Sequence, residues 1–201
     1  MSNSNTITNI LAENTDQIRP YIIDLAKKKN QNPDAFLDSY VNSCAGYAVV
    51  TYILGIGDRH LDNILIDQYG KLFHIDFGYI LGKDPKAFPP PIKLSKHMVE
   101  CMGGKDSKTY ENFKKKCVDT YIYLRQHARL IVNMFFLMIH SEIKELSENY
   151  ETVLNKLHEK FCPGMSQQEA SNSLLNKIEE SVNAIYAAWM DTVHNWATYF
   201  R

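Results

Sequence analysis

One short window fixes what this chain can become. The runs "NILID" and "KLFHID", around a turn at Gly70, are the β-type segments that stand out, and they predict a single β-hairpin over residues 64–75. The sequence on either side is helical in pattern, so the fold must be mainly α. From Asp34 onward, Phe36, Tyr40, Val41, Cys44, Tyr47 and Ala48 recur at steps of three and four, and the pattern ends at Gly55. Residues 79–93, "YILGKDPKAFPPPIK", hold four prolines and one glycine, which excludes regular structure there. Beyond Leu94 the pattern is again helical. Its clearest start is Ser166-Gln167-Gln168-Glu169, a capping box that follows Pro163-Gly164. The first 34 residues are polar, with one short helix expected around "TDQIRPYIIDLAKKK".

Composition removes several classes of function. At 201 residues with 45% hydrophobic content, the chain can build one domain, or one lobe of a larger one, around a real core. A formal net charge of −1 with mixed signs gives no nucleic-acid footprint. The four cysteines, Cys44, Cys101, Cys117 and Cys162, are scattered without zinc spacing, which predicts free thiols in a reducing compartment. "MSNSNTITNI" has no basic region leading into an apolar one, so no secretory leader is expected. "CAGYAVVTYILGIG" and "LIVNMFFLMI" are too short to span a bilayer. A cytoplasmic protein able to touch a membrane surface is the expectation.

The hairpin is flanked by chemistry. Asp58, Arg59, His60 and Asn63 precede it, and His74 and Asp76 close it. A reversal at Tyr69-Gly70 would set Asn63 opposite Asp76, and a looser four-residue turn would shift that register by two. Either way an amide oxygen and a carboxylate meet at the open end, which suits Mg²⁺, a hard cation that also takes substrate phosphates. His60 lies on a turn tightened by Gly55 and Gly57, and an imidazole can accept a proton near neutral pH. Taken singly, these residues are ordinary: Asn63 and Asp76 suit turns and caps, His60 suits a structural hydrogen bond, Asp58-Arg59 suits a surface ion pair, and His74 suits the core. Together they fit phosphoryl transfer, which depends on positioning and charge neutralisation.

"DRHLDN", with "DFG" following so that Asp76 lies 13 residues after Asn63, resembles the catalytic loop and metal motif of kinases. His and Asp are exchanged relative to the protein-kinase order. That inversion is typical of the phosphoinositide 3-/4-kinase superfamily, which also contains large Ser/Thr protein kinases. The stretches "SCAGYAVVTYILGIGDRHLDNILI" and "GKLFHIDFGYILGKDPKAFPPPIKL" extend the likeness, and the second is most similar to class III phosphatidylinositol 3-kinases, the vacuolar protein sorting type. The resemblance covers roughly residues 8 to 201.

It implies the C-lobe of a kinase-like fold. Residues 1–34 would be a lead-in at the lobe junction and 35–201 the lobe itself. Within the lobe, 57–63 would be the catalytic loop, 64–75 the hairpin, 76–98 the metal motif and activation loop, and 166–201 the C-terminal helices. Asn63 and Asp76 would hold Mg²⁺ (or Mn²⁺) on ATP. His60 would deprotonate the inositol 3-hydroxyl, with Asp58 competing or supporting and Arg59 orienting the loop.

Lys83, Lys86 and Lys93 would meet the headgroup of phosphatidylinositol, and their sparse spacing suits an unphosphorylated inositol. Ile185, Trp189, Val193, Trp196 and Phe200 form one helical stripe, which fits core packing. With Tyr199 and the family's habit of membrane contact, Trp189, Trp196, Tyr199 and Phe200 become expected membrane residues. The resemblance further implies a protein-kinase-like regulatory subunit with autophagy and sorting subunits, and work on endosomal and autophagic membranes. No glycine-rich phosphate loop occurs among the nine glycines, so the ATP-gripping N-lobe is expected to be absent and the isolated chain nearly inactive. The alternatives are a phosphatidylinositol 4-kinase, a related protein kinase, or a non-catalytic fragment that binds membrane or partner.

Overall fold

The computed structural model describes residues 4–199, with side chains through residue 192. Its spine is the helix α3 (Pro33–Leu54), preceded by β1 (Ser4–Thr6), α1 (Ile7–Glu13) and α2 (Arg19–Lys28). The Asn32 side chain accepts the Asp34 N–H and Pro33 supplies the first helical φ, so the start of α3 is specified locally. Gly55, left-handed at φ +58°, ends the helix as its residue type predicts. Phe36, Leu37, Tyr40, Val41, Cys44, Ala48 and Val49 are all buried, on more than one face, which is the pattern of a helix surrounded by neighbours.

After a 3-10 turn (Leu61–Asn63) come β2 (Ile64–Asp67) and β3 (Leu72–His74), then α4 (Lys96–Cys101), α5 (Lys108–Gln126), α6 (Ala128–Leu137), α7 (Lys144–Glu159) and α8 (Gln167–Tyr199). Against α3 lie α5, α2 and β3, and α8 lies on α5. The packed faces follow helical spacing: Tyr110, Phe113, Cys117 and Tyr121 on α5, and Ala170, Leu174, Ile178 and Val182 on α8. At the start of α8 the capping box forms in both directions. Ser166 Oγ accepts the Glu169 N–H at 3.2 Å, and Glu169 Oε2 accepts the Ser166 N–H at 2.8 Å. Among the described residues no helix is long and apolar enough to cross a membrane.

Two expectations about the β-structure are corrected. The hairpin is part of a three-stranded antiparallel sheet in the order β1-β2-β3, because Ser4–Thr6 pairs with β2. Thr6 then caps α1 and sends Ile7 and Ile10 into the core, where Ile18, Ile22 and Ala26 from the following segment join them. The polar lead-in thus contributes five fully buried or nearly fully buried side chains to the main core.

The second correction is the register. Ile64 pairs with His74 and Leu65 with Phe73, which sets Asn63 opposite Ile75 and not Asp76. The loop has three residues, 68–70, with Gly70 at φ +77°. Asp67 closes it by taking the Tyr69 and Lys71 N–H groups on Oδ1. A three-residue loop ending in a left-handed glycine shifts the pairing by one from a two-residue turn.

Candidate active site

Residues 55–63 and 75–93 meet at the open end of the β2-β3 hairpin. No helix or strand spans 75–93, so the segment must satisfy its backbone otherwise. Part of the answer is a backbone ladder with the end of α3: Gly57 N–H donates to Tyr79 O, Leu81 N–H to Leu54 O, and Gly82 N–H to Gly55 O, each at 2.9 Å. Two glycines make this approach possible. A Cβ on Gly57 would lie 2.2 Å from Lys83 O, and one on Gly55 would lie 2.5 Å from Gly82 N.

Arg59 ties the two segments together. Its Nε donates to Gly57 O at 2.7 Å, one terminal nitrogen donates to Ile75 O at 2.7 Å, and the other donates to Asp76 O. One guanidinium thus fixes the carbonyls at both edges of the site, using the fork geometry peculiar to arginine. Burial lowers its pKa, while Asp58, Asp76 and Asp84 act in the opposite direction. Asp58 and Asp76 both hold left-handed backbone, at φ +51° and +57°. Non-glycine residues in that region cost free energy and persist where the surroundings enforce them. Here the enforcing contacts are the Arg59 bonds, the Asn63 Nδ2 bond to Asp58 O at 2.9 Å, and the Ile75 N–H bond to Asn63 O at 3.0 Å.

The polar side chains differ in access. Asn63 is buried, and its amide nitrogen is committed to Asp58 O, which leaves its oxygen as the free end. Asp76 is exposed, and its Oδ1 takes the Gly78 N–H at 3.2 Å. His60 is half exposed, with Asp58 3.9 Å from Nε2 and Asp62 3.5 Å from Nδ1. An amide oxygen and a carboxylate are donors a Mg²⁺ ion accepts, with phosphate and water oxygens completing its shell. His74 is buried, stacks on Tyr47 at a ring separation of 4.6 Å, and neither ring nitrogen has a hydrogen-bond partner. Burial, followed by the nearby Arg59 charge, lowers its pKa to about 3, so the ring is neutral and belongs to the wall beneath the site.

The three lysines expected to meet a headgroup have different surroundings. Lys93 is mostly buried and pairs with Asp84 at 2.8 Å, closing the loop on itself. Lys83 pairs with Glu145 at the start of α7, at 2.5 Å. Lys86 is exposed and makes no ion pair among the described residues. Burial pushes the Asp84 carboxyl up, but hydrogen bonds from the Lys93 ammonium and from the Lys86 and Asp58 backbone N–H groups outweigh it, and it titrates below the usual carboxylate range. Sequence reasoning missed Asp84. Its place in "GKDPK", two residues before an exposed lysine and nine before a buried one, is the only signal that pointed to it. Phe88, at the far side of the same loop, is 97% exposed.

Of the expected membrane residues, Trp189 is partly exposed and carries the Lys96 ammonium 3.2 Å from its ring centroid. The Trp196 and Tyr199 side chains and the whole of Phe200 lie outside the described residues.

Comparison with known proteins bears on this geometry. Residues 5–148 match the family model described as phosphatidylinositol 3- and 4-kinase. The chain is 49% identical over 165 residues to phosphatidylinositol 3-kinase VPS34 of Arabidopsis thaliana, covering 82% of this chain and 20% of that protein. It is 48% identical over 165 residues to the nodule isoform of phosphatidylinositol 3-kinase from Glycine max, with the same coverage of both chains. Against phosphatidylinositol 3-kinase pik3 of Schizosaccharomyces pombe it is 43% identical over 210 residues, covering 98% of this chain and 26% of that protein. The chain therefore spans about a fifth to a quarter of the length of these relatives. Its matched region contains the loop held by Arg59, the hairpin and the Asp76 turn, and the chain belongs to the phosphatidylinositol 3- and 4-kinase family.

Proposed function

We propose that this chain carries the catalytic and metal-binding half of a phosphatidylinositol 3-kinase active site, of class III type. The observation that carries the reading is the Arg59 staple, which gathers His60, Asn63 and Asp76 at one solvent-facing end of the hairpin. Asn63 and Asp76 are the residues that would hold a divalent ion. When bound, that ion neutralises charge on the ATP phosphates. His60 takes the proton from the inositol 3-hydroxyl as that oxygen attacks, and its half-exposed ring is open to an incoming headgroup. Asp58 is turned by its left-handed backbone and held by Asn63, so its contribution is to the shape of the loop.

Lys86 is the loop lysine left to meet the phosphodiester of phosphatidylinositol, since Asp84 and Glu145 occupy Lys93 and Lys83. Phe88, beside it and backed by Pro89-Pro90-Pro91, supports contact with a lipid surface, as does the partly exposed Trp189. On the resemblance to class III kinases, the setting is endosomal and autophagic membranes, with a protein-kinase-like regulatory subunit.

The test is a lipid kinase assay on the full-length gene product with His60→Ala. Turnover of phosphatidylinositol should fall by about 10²–10⁴, the usual contribution of a positioned base, while ATP affinity is retained. Near-normal turnover would remove His60 from the chemistry.

A further inference from the structure

We propose that the cleft between the activation-loop ladder and helices α7 and α8 is a second binding site, for a ligand bearing clustered phosphate monoesters. The cavity measures about 500 Å³, within the range of small-molecule sites. One wall is the backbone of Leu54-Gly55 and Leu81-Gly82, joined by two hydrogen bonds. The floor is apolar, with Tyr52 and Leu157. Into the space face Lys156 and Lys160 from the last turn of α7 and its cap, and Lys177 from α8.

Lys156 and Lys160 are four residues apart and share a helix face. None of the three lysines makes an ion pair among the described residues. This contrasts with Lys83, Lys93, Lys114 and Lys144, each of which has a carboxylate within 4 Å. The one carboxylate residue on the lining, Glu159, pairs with none of them. Lys160 rests instead over the Tyr52 ring, 4.5 Å from its centroid. Burial lowers the pKa of its ammonium, and Lys177, Lys93 and Lys156 lower it further, so three other positive groups act on Lys160. Lys93 is already neutralised by Asp84, so three charges remain.

A single carboxylate would leave most of that charge uncompensated. A phosphate monoester carries close to two negative charges and accepts several lysine hydrogen bonds at once. Ser173, whose oxygen accepts from the Cys162 thiol, retains its own O–H to donate into the cleft. Two sources share this chemistry: a soluble inositol polyphosphate and the headgroup of a phosphorylated inositol lipid. The site is separate from the His60 end, and its occupancy does not depend on the catalytic reading.

The experiment measures two probes against the intact protein. Inositol hexakisphosphate is titrated by calorimetry. Vesicles of phosphatidylcholine, with and without phosphatidylinositol 3,5-bisphosphate, are tested by co-sedimentation. Lys156→Gln combined with Lys177→Gln should weaken binding by about tenfold or more. Lys105→Gln combined with Lys108→Gln, the same charge change on exposed positions elsewhere, should leave it nearly unchanged. Lys160→Met tests the buried member, with the thermal midpoint checked to confirm folding. Cleft-dependent binding of the soluble probe alone identifies a free inositol phosphate, and cleft-dependent binding of vesicles alone identifies a lipid headgroup; either supports the site. If neither probe binds saturably, or if both lysine pairs weaken binding equally, the proposal is overturned.

Discussion

The two halves of this molecule are held together by different physics. Around α3, α5 and α8, side chains such as Tyr40, Phe113, Tyr121, Leu174 and Ile178 are buried at helical spacing, and apolar burial supplies the order. Across 55–63 and 75–93 there is almost no regular structure. Order there comes from three Arg59 bonds to carbonyls, a backbone ladder that tolerates only glycine at two points, and the Asp84–Lys93 pair. The first arrangement resists unfolding. The second fixes a few polar groups at an exposed end, where a packed core could not sit. Loss of stability and loss of activity should therefore be separable by substitution.

The largest separation is expected in the core. Phe113→Ala removes a fully buried ring on α5 and should cost about 3–5 kcal/mol of stability, read from denaturant melts. Turnover per folded molecule should be unchanged, and a specific loss of activity would show that the two regions are more tightly coupled than this. Gly57→Ala should do the reverse. Its methyl group would meet Lys83 O at 2.2 Å, so the 79–93 segment must move. Turnover should fall by about 10², the cost of small misplacements at a reacting centre. The melting curve should move far less than that of Phe113→Ala.

The smallest effect lies at the seam, in His74. Burial and the Arg59 charge depress its pKa to about 3, so the folded protein holds it neutral and the unfolded chain binds the proton more readily. Stability from this residue is complete above its ordinary pKa of about 6.5 and declines as pH falls from there toward 3. A change from about pH 7 to about pH 5.5 should cost about 1.2 kcal/mol through His74. His74→Phe should remove that slope from denaturant melts; an unaltered slope would place its source elsewhere.

The same division explains what could be read from the sequence. The spine helix was legible because its apolar residues recur at steps of three and four from Phe36 onward and Gly55 marks its end. The capping box before α8 and the irregular 79–93 segment were legible for equally local reasons. Strand β1 was not, since three polar residues have no strand pattern of their own and are recruited by the free edge of β2. The hairpin register missed by one, because Gly70 suits both a two-residue and a three-residue turn, and the Asp67 side chain helps set which one forms.

At the site, the closeness of the Asp58–Asn63 loop to Asp76 followed from the hairpin. The surroundings of the lysines did not. The partners Asp84 for Lys93, Glu145 for Lys83 and Trp189 for Lys96 depend on how segments far apart in sequence fold back on each other. Charge counting along a loop cannot tell a lysine that waits for a ligand from one already occupied by a carboxylate.

The central claim is that the Arg59-stapled end of the hairpin transfers phosphate from a metal-bound ATP to the inositol 3-hydroxyl. The most direct test supplies the full-length gene product with Mg-ATP and phosphatidylinositol, deacylates the lipid and resolves the positional isomers, for wild type and for Asp76→Asn. The account predicts the 3-phosphate from wild type and almost none from Asp76→Asn, with the variant still folded. A 4-phosphate product, no lipid product from wild type, or equal product from Asp76→Asn would contradict it.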